Sequence, residues 1–380
     1  MIFNGFIKRK SILIQTQQSK RMIKKIACLI LITSGLYGQS RKYSNEFLSI
    51  GVGARALSMS NASVATTEDI TAGYWNPAGL AALKSNLQLS VMHSEYFAGI
   101  AKYDYGALAK QIDDKSSIGI SFVRFGVDDI PNTTELIDAN GQIDYNRITT
   151  FSAADYAFLV SYARKTKLEG LNLGGSAKVV RRKVGDFAGA WGFGIDFGAQ
   201  YQKESWKFGV MARDISTTFN SWTYNLDDQT KYVFEQTGNS LPQNGLELTL
   251  PKLILGAAKT YSYKKFTGIA EVNLDATFDG KRNVLVSAKP VSIDPHMGIE
   301  IAYENIIFIR GGIGNIQQVQ DLNGLSTYVT QPNVGVGIRL KGLCIDYALA
   351  NVGQTFGLVS HVFSFKLELN PRKTAEKPVN

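Results

Sequence analysis

The feature that most constrains the fold is a strict two-residue alternation of apolar and polar side chains over long runs. It is clearest in residues 191–202, where large apolar residues alternate with glycines and an aspartate. The same period appears in residues 102–110 and 363–369. Because successive side chains of a strand point to opposite faces, this period predicts strands with one apolar face and one polar or bare face.

The number and length of these runs indicate a membrane barrel. Fourteen of them lie between residues 85 and 369, and they average about 12 residues, whereas strands of soluble proteins average roughly five or six. A strand needs about 9 to 11 residues to cross a membrane. A closed barrel satisfies every backbone hydrogen bond between neighbouring strands, so it needs no apolar helix to span the bilayer.

The predicted connections alternate between short and long along the chain. Short turns include residues 113–116 and 203–205. The long connections are predicted at residues 126–151, 215–247, 275–295 and 315–330. Outer-membrane barrels have short periplasmic turns and longer external loops. We therefore predict an all-β fold, a 14-stranded antiparallel transmembrane β-barrel in the lipid of a Gram-negative outer membrane, with both termini on the periplasmic side.

The net charge of +9 does not predict nucleic-acid binding, because its distribution is uneven. Residues 1–38 hold seven of the 41 Lys and Arg residues and none of the 32 acids, so the remaining chain is close to neutral. Within residues 1–38, which we call the signal region, residues 22–38 combine a cationic start with a short apolar run and a small residue. That pattern is typical of a secretory signal peptide.

Residues that could support catalysis or metal binding are scattered. His93, His296 and His361 stand singly, and the two cysteines, Cys28 and Cys344, lie far apart. Such spacing predicts neither a metal site nor a catalytic constellation. The glycines near residue 51 superficially match a dinucleotide-binding loop, but the required βαβ context is missing. We expect no enzyme activity and no cofactor.

The stretch between the signal region and the first strand carries distinctive motifs. It contains Gly53-Ala-Arg-Ala followed by Met59, the acidic pair Glu68-Asp69, and Tyr74-Trp-Asn-Pro-Ala-Gly-Leu. In this combination the chain resembles the PorV/PorQ family of the type IX secretion system, a branch of the FadL-like barrels. The resemblance, together with the strand count, covers nearly all of the chain after the signal region.

Together, the signal pattern, the alternating runs and these motifs divide the chain into a signal region over residues 1–38, an N-terminal plug over 39–84, a barrel over 85–369 and a tail over 370–380. The small residues of 54–65 predict a narrow helix that folds into the lumen. We expect the plug's charged residues to pair with inward side chains such as Lys102, Asp104 or Asp196. The plug residues predicted to have a structural or gating role are Arg55, Met59, Glu68, Asp69, Trp75, Asn76, Pro77 and Gly79.

The resemblance implies a barrel that receives exported proteins and presents them for surface attachment or release, with secretion-system components and cargo proteins as partners. Loop 215–247 is the candidate partner-binding surface because it carries four aromatic residues, Trp222, Tyr224, Tyr232 and Phe234. The same loop could instead pack on its own barrel.

Two other functions remain open at this point. The first is a FadL-like transporter of hydrophobic small molecules with the plug as gate, which would need an apolar lumen. The inward residues of the second and sixth strands are expected to be largely Gly, Lys, Asp and Gln, which argues against that function. The second is a general porin, which would need an open lumen that the plug would obstruct.

Overall fold

The computed structural model describes residues 44–137, 141–320, 324–351 and 359–371, so the predicted signal peptide and nearly all of the tail lie outside it. Its strands form one antiparallel sheet that closes on itself, because the first strand pairs with the last. In chain order the strands are β1 (Ser85–Tyr96), β2 (Ala101–Gln111), β3 (Ser116–Asn132), β4 (Thr149–Lys165), β5 (Leu171–Val184), β6 (Ala188–Lys203), β7 (Trp206–Arg213), β8 (Thr218–Tyr224), β9 (Gly245–Thr249), β10 (Lys252–Tyr263), β11 (Phe266–Thr277), β12 (Val286–Ser287), β13 (Ser292–Tyr303), β14 (Ile307–Gln320), β15 (Ser326–Leu340), β16 (Leu343–Asn351) and β17 (Val359–Pro371).

These segments make fourteen barrel strands, which confirms the predicted fold class. Both β7 and β8 pair with β6, and they form two parts of one barrel strand interrupted at residues 214–217. In the same way β9 and β10 are separated only by Leu250 and Pro251. β12 is a two-residue strand on the edge of β13.

The strands extend further at the long-loop end than the alternation indicated. β3 continues to Asn132 and β13 begins at Ser292, so the predicted loops 126–151 and 275–295 are too long. The predicted loop 215–247 is likewise wrong in extent, because β8 and β9 leave only residues 225–244 as a connection. Beyond the apolar band both faces of a strand meet polar surroundings, so the pairing continues after the alternation has faded.

The outer face of the barrel is apolar, as the alternation of β6 predicts. The side chains of Trp191, Phe193, Ile195 and Phe197 are exposed, while the glycines between them are buried against the lumen. Closed antiparallel pairing leaves this band free to face lipid.

The N-terminal segment fills the lumen. It consists of a 3-10 helix over Glu46–Ser49, helix α1 (Ala54–Ser58), helix α2 (Ala72–Trp75) and a second 3-10 helix over Pro77–Ala82. α1 packs on β14–β17, whereas the second 3-10 helix packs on β3–β6. We call residues 44–84 the plug.

Helix α1 is shorter than the predicted helix over 54–65. It ends at Ser58 because Ser60 and Asn61 adopt left-handed conformations, with φ of 52° and 66°. In the loop after β8 lies a third helix, α3 (Asp228–Gln236). Among the described residues, no helix is long and apolar enough to cross a membrane.

Candidate functional site

The turn from the plug into β1 is built by Asn76, Pro77 and Gly79. The Asn76 backbone is extended, and its Oδ1 accepts a hydrogen bond from the Ala78 amide at 3.2 Å. Pro77 begins the 3-10 helix. The first residue of a helix has no carbonyl partner for its N–H, so proline, which lacks an N–H, fits this position. A Cβ at Gly79 would collide with the Thr67 carbonyl oxygen. Local sequence therefore determines this turn.

The same turn is attached to the barrel wall by buried side chains. Asn76 Nδ2 donates to the carbonyl oxygens of Val64 at 3.0 Å and of Ala199, in β6, at 3.1 Å. The indole nitrogen of Trp75 donates to the Val52 carbonyl at 2.9 Å. Both side chains thus join parts of the plug that are distant in sequence, and Asn76 also joins the plug to the wall.

Met59 is fully buried where the plug meets the bare backbone of β13 and β14. A Cβ at Gly298 would lie 2.6 Å from the Met59 Cβ, and one at Gly312 would lie 2.7 Å from the Met59 carbonyl oxygen. Inward glycines therefore allow the plug backbone to lie directly on the sheet.

Three charged plug residues, Arg55, Glu68 and Asp69, each pair with a different strand. Arg55 Nε lies 2.9 Å from Glu300 Oε2 in β13. Asp69 Oδ2 lies 2.6 Å from Lys366 Nζ in β17. Glu68 pairs with Lys207 in β7. The three ion pairs hold the plug at separate points around the barrel.

The Arg55 pair continues into a chain of charges within the wall. Arg310 Nε lies 2.6 Å from Glu300 Oε2, and Arg310 Nη1 lies 2.6 Å from Asp346 Oδ1. This chain joins the plug to β13, β14 and β16, and each carboxylate in it has a cationic partner.

Burial and ion pairing shift the pKa values of the charged plug residues in opposite directions. Burial raises the pKa of Asp69, but the Lys366 ammonium and hydrogen bonds from Thr71 outweigh it and hold the pKa well below its usual range. Burial lowers the pKa of Arg55, and the Glu300 carboxylate more than restores it, so the pKa lies above its usual value. Both groups are therefore charged at neutral pH.

The predicted partners of the plug charges are wrong. Asp196 faces the lumen but pairs with Lys178 at 2.9 Å. Lys102 and Asp104 face outward, because Tyr103 and Tyr105 occupy the inward positions of β2 and are buried. The Tyr103 hydroxyl donates to the Phe47 carbonyl of the plug at 3.1 Å. In β2 the aromatic face packs on the plug rather than on lipid.

The predicted loop aromatics do not form one exposed cluster. Trp222 and Tyr224 lie on β8, at inward positions opposite Ala190 and Ala188 of β6. The Trp222 indole N–H donates to Glu247 Oε2 at 2.6 Å, and the Arg182 guanidinium lies 5.0 Å from its ring centroid. These contacts brace the hairpin from within.

The other two aromatics lie on helix α3. The side chain of Tyr232 is exposed, whereas Phe234 is half-buried. Asp227 begins the helix, and its carboxylate accepts a hydrogen bond from the Thr230 amide at 2.6 Å. Tyr232 is therefore the aromatic of the four that this connection presents most openly.

A polar cavity of about 510 Å³ lies between the plug and the inner faces of β7, β10, β11 and β13–β16. Its walls carry Lys252, Asp275 and His296 together with several asparagines and glutamines, and residues 282–284 of the loop before β13 line it as well. Elsewhere the plug backbone packs directly on the wall, as at Met59 against β13 and β14.

Comparisons with known proteins give a family and a fold. The family model described as "Type IX secretion system protein PorV" matches residues 40–264, which is more than half of the chain. The chain belongs to the PorV family of type IX secretion system proteins. This member is accordingly a Gram-negative outer-membrane barrel that functions in type IX secretion, in a family concerned with secretion rather than catalysis.

Solved structures support the fold. The CymD monoaromatic hydrocarbon channel has a TM-score of 0.52 and 14% identity, over 84% of this chain and 98% of that one. The Pseudomonas putida toluene transporter TodX has a TM-score of 0.51 and 14% identity, over 84% and 99% of the two chains. This likeness confirms a FadL-like barrel. A comparison with curated protein sequences finds no significant match.

Sequence reasoning missed the wall residues that hold this PorV-family plug, namely Lys207, Glu300 and Lys366. For Lys366 the sequence did carry an indication, because it lies on the polar face of β17, between Phe365 and Leu367 of the apolar face. Alternation could place it in the lumen, but it could not say which plug residue it would meet.

Proposed function

We propose that this barrel handles exported proteins on its outer surfaces, receiving them at its external end and passing them to membrane-embedded parts of the secretion system. The observation that carries the proposal is the filled lumen. Met59, Val64, Ile70 and Leu80 of the plug are fully buried, and three ion pairs join the plug to the wall. Within the part of the chain that the structure describes, the plug leaves no polypeptide-sized path through the barrel, so we place the handling of cargo outside it.

The capture surface we propose is the β8–β9 hairpin with its connection, residues 225–244. Outer-membrane barrels carry their longer loops on the external side. The hairpin is braced from within by Trp222 and Glu247, and it presents the exposed ring of Tyr232. Aromatic side chains on a supported surface are common anchors of protein interfaces.

A second surface supports contact with a partner inside the membrane. On β1–β3 the outward positions carry an outer polar strip, which we define as His93, Lys102, Asp104, Arg124 and Asp128. His93 Nδ1 lies 2.7 Å from Asp104 Oδ1, and Arg124 Nη1 lies 3.3 Å from the other carboxylate oxygen, Asp104 Oδ2.

The apolar band is narrow beside this strip. On β2 the outward positions between Asp104 and Lys110 hold only Gly106 and Leu108, whereas on β6 the apolar outward positions run from Trp191 to Tyr201. Charged residues on the lipid face of a barrel are costly, by about 2–4 kcal/mol at the midplane for Arg or Lys. Covering the strip with another membrane protein would relieve that cost.

The capture surface is tested by replacing residues 225–244 with a short Gly-Ser turn. We expect the variant to insert normally but to lose co-purification of an exported cargo protein. The matched control shortens residues 133–148, which should leave capture intact. Normal capture by the first variant would refute this surface.

The outer polar strip is tested by photo-crosslinking. A crosslinking residue in place of His93 should trap a membrane partner, and one in place of Phe197, on the apolar outer face of β6, should trap none. Equal yields at the two positions would contradict the proposed contact.

The alternative function, transport of hydrophobic small molecules, is weakened by the lumen itself. The neighbours named above are described as hydrocarbon channels or transporters, but the cavity in this chain is lined mainly by charged and amide side chains. A knockout that secreted normally yet failed to take up a hydrophobic nutrient would favour transport instead.

A further inference from the structure

The β8–β9 hairpin leaves one edge of the sheet open. β9 (Gly245–Thr249) pairs with β8 over its whole length, whereas its continuation β10 pairs with both β7 and β11. β11 ends at Thr277, opposite Lys252 at the start of β10, so it does not continue beside β9. Within the described chain, no backbone group of β9 pairs with the backbone of a residue outside β8.

Two hydrogen bonds of β8 show the direction of its backbone groups. The amide of Tyr224 donates to Asn244 Oδ1 at 2.9 Å, on the β9 side. The amide of Asn225 donates to the Phe187 carbonyl at 2.8 Å, on the β6 side. Successive residues of a strand direct their backbone groups to alternate sides. The even-numbered residues of β8 therefore bond to β9.

The pairing of β8 with β9 then identifies the residues that face the open edge. Gly245, Glu247 and Thr249 lie opposite even-numbered residues of β8, so their backbone groups bond to it. Leu246 and Leu248 therefore direct their N–H and C=O groups towards the open edge. Their side chains lie on the outer face of the hairpin, because Glu247 contacts Trp222 on the inner face.

Comparable edges of the barrel are protected. The side chain of Asn283 covers the edge of β14, because its Nδ2 donates to the Gln318 carbonyl and its Oδ1 accepts from the Gln318 amide, both at 3.0 Å. Pro131 lies in the part of β3 beyond its pairing with β2, and Pro332 lies in the part of β15 beyond its pairing with β16. Proline, lysine and covering groups commonly protect edge strands from further pairing. β9 contains neither proline nor lysine.

The open edge belongs to the external end of the barrel. β9 follows directly on the connection 225–244, which presents the exposed ring of Tyr232. Open sheet edges do not occur in the hydrocarbon core of a bilayer, because nothing there satisfies their backbone groups. The edge therefore lies beyond the bilayer core and is continuous with the proposed capture surface, where an exported polypeptide can reach it.

We propose that the open edge of β9 binds an extended segment of an exported protein, which adds a strand to the β8–β9 hairpin. The backbone of that segment bonds to the N–H and C=O groups of Leu246 and Leu248, and alternate side chains of the segment lie beside the two leucines. Recognition through the main chain depends little on sequence, which suits a barrel that receives different exported proteins. The inference rests on the proposed capture surface and states how that surface holds cargo.

Proline substitutions test the edge without disturbing the hairpin. The double variant Leu246→Pro/Leu248→Pro loses both free N–H groups and its rings obstruct an added strand, while the bonds between β9 and β8 remain. We expect co-purification of one tagged exported protein with the full-length barrel to fall at least tenfold. The matched control, Leu246→Val/Leu248→Val, keeps the N–H groups and an apolar outer face, so it should retain capture.

Residue-resolved amide hydrogen exchange of the wild-type protein gives a second readout that needs no variant. In the free barrel the amides of Leu246 and Leu248 should exchange rapidly, and the tagged exported protein should slow their exchange at least tenfold. The Glu247 amide, which faces β8, is the internal comparison and should exchange slowly in both states. Heat-dependent gel mobility checks the folding of the two double variants.

Several results would overturn strand addition: normal capture by the folded proline variant, equal losses in the proline and valine variants, or no protection of the two leucine amides by cargo. A wild-type dimer that the proline variant converts to monomers would assign the edge to a second copy of the chain. If replacement of residues 225–244 abolishes capture and the proline variant retains it, the capture surface stands and strand addition is wrong. The reverse result would support the edge and refute the connection.

Discussion

At the scale of single residues, the plug is attached to the wall by charges whose partners lie hundreds of positions away. Asp69 and Lys366 meet at 2.6 Å, although they belong to the two ends of the described chain. Removing one member of a buried pair leaves the other without compensation, which is more costly than the pair is stabilising. These pairs therefore respond strongly to substitution and to pH.

The pH dependence of stability is expected to report on Asp69. Its pKa in the folded protein lies below the value of about 3.9 for an unperturbed aspartate. A carboxyl with a lowered pKa stabilises the folded state at higher pH, and that contribution is lost as the pH falls below about 4. The thermal midpoint in detergent should therefore fall more steeply between about pH 5 and 3 for the wild type than for Asp69→Asn.

The control for this measurement is Asp114→Asn, a change at an exposed turn. It should keep the wild-type pH dependence. If Asp69→Asn showed the same slope as the wild type, the Asp69 pair would make no contribution to stability.

Contact between plug and wall is expected to depend on inward glycines. Gly298→Val would force a side chain into Met59, and overpacking of this kind lowers stability by about 1–3 kcal/mol. Gly268→Val is the matched control, because a Cβ there meets no atom within 4 Å. Heat-dependent gel mobility of the two variants measures the difference, and equal midpoints would contradict close packing at Gly298.

At the scale of elements, the β8–β9 hairpin is the most informative segment. Its inward face carries Trp222, Glu247 and Asn220, and Asn220 Nδ2 donates to Ser44 Oγ of the plug at 2.8 Å. The hairpin is thus joined both to the barrel and to the beginning of the plug.

Removing the brace should loosen the hairpin without unfolding the barrel. Trp222→Ala loses the hydrogen bond to Glu247 and the contact with Arg182. We expect faster proteolysis within residues 225–244, with unchanged mobility of the folded barrel. Tyr232→Ala is the comparison, since that exposed side chain should affect cargo capture and leave proteolysis unchanged. Equal cleavage rates for wild type and Trp222→Ala would argue against the brace.

At the scale of the whole molecule, the plug occupies the lumen of a barrel whose outer face is largely apolar. Fourteen strands enclose a lumen wide enough for short helices, and the plug fills most of it. The outside carries lipid contacts and the proposed partner surfaces, and the inside carries the polar cavity.

Deleting residues 44–72 is expected to open the lumen. The wall would then expose Lys207, Glu271, Glu300 and Lys366 to water, which a polar lumen can accommodate. Planar-bilayer recordings should show ion conductance well above that of the wild type. The variant lacking residues 225–244 is the control and should remain closed. Wild-type conductance in the plug deletion would show that other segments seal the barrel.

The sequence by itself determined the architecture. Alternation, strand length and the parity of connection lengths are local properties of the chain, and together they specify a fourteen-stranded antiparallel barrel. Local chemistry also determined the turn at Asn76 and Pro77, because the side-chain cap and the proline act within a few residues.

Only the tertiary structure decided which face of a strand points into the lumen and which side chains contact each other. In β2 the apolar face of Tyr103 and Tyr105 is clear from the alternation, but it turns inward on to the plug and leaves Asp104 outward, which the period of two alone does not show. Trp222 became a brace because β8 continues past the apolar band, where periodicity no longer distinguishes strand from loop. The partners of Arg55, Glu68 and Asp69 depend on the closure of the barrel around the plug, which brings together residues that no sequence spacing relates.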